Sequence, residues 1–168
     1  MRSPSYRLLW VGLLAAAVAA TALGCRKEPA APPETVAIDG HVWHVELAVT
    51  PDQRHEGLAH RTTLPRDQGM LFIFEEAQPL EFYMLNCQMD IDIAFIDADH
   101  RVIRTYTMYP EPGVEEDNLK LYPSGRPAQF ALEVGGGELV RAGVEPDQRV
   151  EFSAGIAGAI KAQPSTGR

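Results

Sequence analysis

Hydrophobic and polar positions divide the chain into three regimes: a leading apolar block, a short proline-rich stretch, and a long run of brief alternating segments. In residues 41–49, Trp43, Val45, Leu47 and Val49 alternate with other positions, the period of a strand with one buried face. Asp39-Gly40 separates this run from the apolar residues 36–38, and an Asp-Gly pair between apolar runs predicts a hairpin. Thr50, Pro51 and Gln53 have the spacing of an N-cap, a first helical position and a capping box, so a short helix is expected from Thr50 to near His60. Gly57 weakens that helix and the Thr62-Thr63-Leu64-Pro65 run stops it. Strand-like runs follow at 70–74, 81–85, 91–97, 101–109, 129–134 and 149–152, with Met70, Phe72 and Phe74 on one core-facing side. Asp97-Ala98-Asp99-His100 reads as a turn, 138–142 as a short helical piece, and the proline-rich 109–127 as a long loop fit to rim a site. The pattern predicts a mainly β fold: a small sandwich or partly open barrel of about six to eight strands with one or two short helices.

Composition and charge alter this picture at the N-terminus. Arg2 and Arg7 precede an uncharged, Leu- and Ala-rich run over residues 8–23, shorter than the roughly 20 apolar residues that span a bilayer. Such a basic and then apolar block is the form of an export signal. Ala22-Leu23-Gly24-Cys25 resembles the end of a bacterial lipoprotein signal, which implies that residues 1–24 are removed and that Cys25 is acylated as the new N-terminus. Two or three acyl chains hold a protein stably on a membrane. Arg26, in place of the aspartate that such sorting uses for inner-membrane retention, implies the outer membrane over the inner, with the domain facing the periplasm of the cell envelope. Residues 25–35 then form a lipidated cysteine and Pro-rich tether, 36–153 a globular β domain and 154–168 a loose tail. The formal charge of the whole chain is −8 and becomes −10 without residues 1–24, since that segment holds two arginines and no acids. This acidity argues against nucleic acid as a partner. With Cys25 acylated, Cys87 has no intrachain disulfide partner.

Two stretches, GLAHRTTLPRDQGMLFIF at 57–74 and FYMLNCQMDIDIAFID at 82–97, followed by YPSGRPAQFALEV at 122–134 and VEPDQRVEF at 144–152, closely resemble the bacterial and archaeal family called domain of unknown function 192. The resemblance implies a small, mainly β fold and no established activity. The sequence departs from that pattern at Ala59 (Met), Tyr83 (Trp), Leu85 (Lys), Cys87 (Thr) and Met89-Asp90 (Ile-Pro). A mechanism resting on a lysine at position 85 is therefore disfavoured.

Arg54, Leu58 and Arg61 share a stripe if the helix continues past Gly57, and Asp90 and Asp92 point to one face of their strand. Arg54, Arg61, Tyr83, Asn86, Asp90 and Asp92 are thus the candidate ligand-binding residues, the alternative being a salt-bridge network that clamps helix to sheet. No metal site is expected: Asp97 falls on the opposite face from Asp92, no calcium-loop spacing occurs, and the five histidines form no zinc spacing. Cys87 has no local base to activate it, and Gly135-Gly136-Gly137 lacks the residues of a phosphate loop. No cofactor motif is present. Three functions remain open: a non-catalytic envelope lipoprotein binding a small polar ligand, a cell-wall component or an exported protein; a hydrolase-like enzyme using Asp90 or Asp92 beside Arg54 and Arg61; and a structural or assembly factor. Mass spectrometry of the mature N-terminus is expected to find lipid on Cys25, and an unmodified Cys25 refutes the anchor.

Overall fold

The computed structural model describes residues 33–162. The expected export segment, Cys25 and the expected tether up to residue 32 lie outside the described residues, as do residues 163–168.

The hairpin comes first. β1 (Thr35–Ile38) and β2 (His41–Ala48) pair antiparallel with Ile38 opposite His41, and Asp39 and Gly40 both take positive φ, at 47° and 82°. That is the geometry a two-residue turn needs to match strand twist. Thr50 then caps α1 (Pro51–Glu56): its hydroxyl accepts the Gln53 N–H at 3.2 Å, and the Gln53 side chain accepts the Thr50 N–H at 3.0 Å. The helix stops sooner than expected, because Gly57 turns to φ 50° and ends it. Arg61 is therefore not on a helical stripe with Arg54.

β3 (Gln68–Gln78), β4 (Glu81–Phe82), β5 (Ile91–Ile96), β6 (Val102–Met108), β7 (Tyr122–Pro123), β8 (Ala128–Gly135) and β9 (Val150–Phe152) complete the strands. Seven of the nine form one curled half-barrel in the order β6-β5-β8-β3-β2-β1-β9, and β4 and β7 form a separate two-stranded ribbon. Of the two expected architectures, the partly open barrel is the one observed. Every pairing in the main sheet is antiparallel except β2 with β3, whose crossover carries α1. The curl brings its two edges together at one end, where Arg101 bridges Arg149 and the Val150 N–H donates to the His100 carbonyl at 2.8 Å.

Both faces of the sheet centre are covered. Trp43, Leu71, Ile73, Phe130, Leu132 and Val134 belong to the inner core. Met70, Phe72, Ile91, Ile93, Phe95 and Ala131 belong to an outer core with Leu58, Leu80 and Met84 of the loops. All six residues of β5 are buried. Gly69 allows β3 to approach β8, since a Cβ there would lie 2.4 Å from the Glu133 carbonyl oxygen.

Helices close the inner core. α2 (Glu138–Arg141) inserts Leu139, and α3 (Ala154–Ala162) inserts Ile156, which is fully buried. Residues 154–162 are thus helical, where an irregular tail was expected. Two glycines make α3 a poor helix in isolation, and the apolar Ile156 and Ile160 spacing is rewarded only by tertiary packing.

Asp92 ties α2 to the sheet. It is 1% exposed; one carboxylate oxygen accepts the Thr107 hydroxyl at 2.8 Å and the other accepts the Leu139 N–H at 3.0 Å. The residue at the cap position of α2 is Gly137, which has no side chain to offer, so Asp92 satisfies that helix end from the neighbouring strand. Asp92→Ala should lower unfolding free energy in urea by about 3 kcal/mol, because a buried donor loses a charged acceptor. Asp90→Ala, on the exposed residue before β5, should stay within about 0.5 kcal/mol of the parent. Equal effects would remove the capping role.

Candidate functional site

α1, β3 and β4 surround a cleft of about 220 Å³. Its floor is made of the buried Phe72 and Glu133, its walls include Arg54, Phe74, Phe82, Tyr83, Leu85 and Cys87, and its exposed rim carries His55, Glu56 and Glu81. The capping box sets where α1 begins and Gly57 sets where it ends. A Cβ on Gly57 would approach Phe72 Cζ to 3.2 Å, so the helix end lies directly on the aromatic floor. Phe72 and Phe82 meet edge to face at 5.0 Å, and Phe82 meets Phe95 in the same way at 5.6 Å.

Glu133 is the unusual member. It sits in the middle of β8, opposite Met70 on β3 and Ile93 on β5, both of them apolar and buried. The residue is 5% exposed and its side chain makes no hydrogen bond or ion pair among the described residues, yet it lines the cleft. Burial pushes its carboxyl up to about 8 from an ordinary 4.5, so the acid is largely protonated at neutrality. Cys87 is the adjoining thiol; burial first, and then the charge of Glu133, push it up to about 11. Its thiol donates to the Leu85 carbonyl at 3.5 Å. A group held that firmly as the thiol is the reverse of an activated nucleophile.

Arg54 contributes a wall rather than a free cation. Its guanidinium donates to the Val49 carbonyl and, at 3.0 Å, to the Ile73 carbonyl, and it lies 4.8 Å over the Phe74 ring. The Tyr83 hydroxyl donates to Glu116 at 3.3 Å, which links the cleft to the loop after β6; burial and then Glu116 raise its phenol pKa. That loop was expected to rim a site.

Of the six residues proposed from sequence, the cleft brings together Arg54 and Tyr83. Arg61 instead forms a two-pronged ion pair with Glu46, at 2.6 and 2.8 Å. The pair raises the arginine and lowers the carboxyl, and its exposure limits it to under about 1 kcal/mol. Asn86 is exposed and at φ 54° offers its carbonyl to the His60 N–H at 2.9 Å. Asp90 is exposed and its carbonyl accepts from Gly136 at 2.9 Å, while Asp92 caps α2. Arg54, Arg61, Asp90 and Asp92, the set considered for hydrolysis, are thus each engaged with other partners.

One cluster among the described residues gathers metal-ligand types: His41, Asp67 and Glu138 bring donor atoms within 4.8 Å of one another. These groups already satisfy one another and a neighbour, His41 Nε2 meeting Asp67 at 3.0 Å and Arg141 donating to Glu138 at 2.8 and 3.1 Å. They carry no metal assignment.

Sequence reasoning missed Glu133. The available signal was a carboxylate inside the otherwise apolar FALEV run, on the same side of the strand as Gln129 and Ala131.

The profile of the DUF192 family, described as an uncharacterized ACR, matches residues 34–152. No curated protein matches the chain. Among solved structures, a protein of unknown function from Novosphingobium aromaticivorans DSM 12444 is 32% identical with a TM-score of 0.63, covering 71% of this chain and 83% of its own. A protein from Sinorhizobium meliloti 1021, described as a candidate transcription regulator, is 31% identical with a TM-score of 0.62, covering 71% of this chain and 91% of its own. Three of the positions at which the sequence departs from the family pattern, Tyr83, Leu85 and Cys87, line the cleft.

The folded state holds the Glu133 proton up to about pH 8, whereas the unfolded chain releases it near 4.5. Between those values the folded form binds more protons, so this group makes stability fall as pH rises. Glu133→Gln removes that dependence. In thermal melts the variant's Tm relative to the parent should rise by at least about 5 °C between pH 5 and pH 8.5, and parallel profiles would show that the carboxyl is not held protonated.

Proposed function

We propose that this chain, which belongs to the DUF192 family, is an envelope-anchored binding module that receives a small ligand in the cleft between α1, β3 and β4. The observation that carries the reading is Glu133: a residue only 5% exposed presents to an open cleft a carboxyl with no hydrogen-bond or ion-pair partner among the described residues, which leaves it available to a ligand. The rest of the cleft supports binding over chemistry. Its thiol is unactivated and its histidine, His55, stands exposed on the rim rather than beside a nucleophile.

Anchorage through lipid on Cys25, with the domain on the periplasmic side of the outer membrane, is the setting we infer from the sequence of the leading segment. The membrane is then a partner through that lipid alone. The transcription-regulator description of the Sinorhizobium meliloti protein is not extended to this chain, whose formal charge of −8 opposes contact with a phosphate backbone.

Filling the cleft tests the reading. In a fragment screen followed by NMR, hits should perturb resonances of Phe74, Phe82 and Tyr83, and Cys87→Phe should abolish those shifts while leaving the fold intact. Hits that map elsewhere, or that persist in Cys87→Phe, would remove the cleft as the binding site.

A further inference from the structure

We propose that the ligand of this cleft is a small organic cation whose ammonium group pairs with Glu133 against the rings of Phe72, Phe82 and Tyr83. This deepens the binding reading above and rests on it.

Charge distribution argues for the sign. The ionisable groups facing the cleft from each surrounding element are Arg54, His55 and Glu56 on α1, Glu81 on β4, Tyr83 and Cys87 in the loop after it, and Glu133 on β8. Arg54 is engaged by two backbone carbonyls and the Phe74 ring, so its charge is held at the wall. Three carboxyls remain, Glu56 and Glu81 exposed at the rim and Glu133 buried. An anionic ligand would have to pass Glu56 and Glu81 at the rim and would oppose ionisation of Glu133 on the floor, whereas a cation is drawn past both and its charge is matched once Glu133 gives up its proton.

The walls argue for an organic cation rather than a metal ion. A hard cation needs six or more oxygens, and a lone floor carboxyl among aromatic side chains does not supply them. Ammonium groups with carbon substituents are held by aromatic faces as well as by a carboxylate, and a desolvated contact of this type is far stronger than an exposed one. Phe72 is buried and Phe82 half-buried, so such contacts would form away from water.

Binding of a cation also changes the state of the floor. In the empty cleft Glu133 holds its proton up to about pH 8. An ammonium beside it favours the carboxylate, so the proton leaves to solvent as the ligand enters below that pH. The balance is one proton released for each cation paired, with no bond formed on the ligand.

Isothermal titration calorimetry on the full mature chain in detergent tests the assignment with three probes of matched size: n-butylammonium, n-butyrate and n-butanol. Butylammonium should bind at least tenfold tighter than the other two. At pH 7 its enthalpy should change between phosphate and Tris buffers by the amount expected for release of close to one proton. Glu133→Gln should weaken it at least tenfold. Should that variant fail to fold, the proton count on the parent protein decides the question. Butyrate or butanol binding as tightly as the amine, or amine binding without proton release, overturns the cation assignment while leaving the cleft as a binding site. No binding of any probe, together with fragment hits that ignore Cys87→Phe, overturns both.

Discussion

β3, β8 and β5 lie at the centre of a sheet that is covered on both faces, and a strand in that position has no side on which a polar residue can meet water freely. The two buried carboxylates of these strands follow from this constraint in opposite ways. Asp92 faces the inner core and is fully employed, by the Thr107 hydroxyl and the Leu139 amide. Glu133 faces the outer core and is employed by nothing described. The fold therefore contains an internal comparison: the same functional group, similarly buried, once as a structural fastening and once as an open valence.

What covers the outer face decides why the second carboxyl is reachable. The covering is made by loops and a two-stranded ribbon, which pack through Leu58, Leu80, Met84 and Tyr122 rather than through a regular layer. Irregular elements leave gaps between their anchoring side chains. The cleft is such a gap, placed where the α1 crossover and the β4 segment fail to meet over β8. Its depth comes from Gly57, which brings the helix end down onto Phe72 instead of letting a side chain hold it away.

The parts of this arrangement that were legible in the sequence are those with local causes. Asp39-Gly40 and the Thr50–Gln53 box each specify their geometry within a few residues, and both form as their residue types require. The length of α1 was misjudged because Gly57 was treated as a weak helix former, when its backbone turns to positive φ and ends the element. Alternation correctly assigned Met70, Phe72 and Phe74 to a shared face, two of them buried and the third half-buried. The same rule drew attention to Asp92 and gave no reason to single out Glu133, because period two separates two faces without revealing what covers either one. Coverage is a tertiary property: the amide that occupies Asp92 comes from a residue 47 positions away, and the loops that bury Glu133 come from earlier in the chain. The family likeness was readable for a similar reason in reverse, since its motif runs through contiguous segments that the match to residues 34–152 encloses.

The sheet edge formed by β1 and β9 has a mechanical side. The two strands run antiparallel with Val36 opposite Phe152, and Ser153 donates its amide to the Thr35 carbonyl at 3.0 Å. The start of one and the finish of the other thus lie at the same end of the pair. Tension applied between those two points loads the ladder rung by rung, as a zipper, rather than all rungs together in shear. A pull transmitted through the chain is therefore taken up first at this short edge, three pairings removed from the β3–β8 ladder that carries the buried acid, so the first rungs to part are not those that floor the cleft.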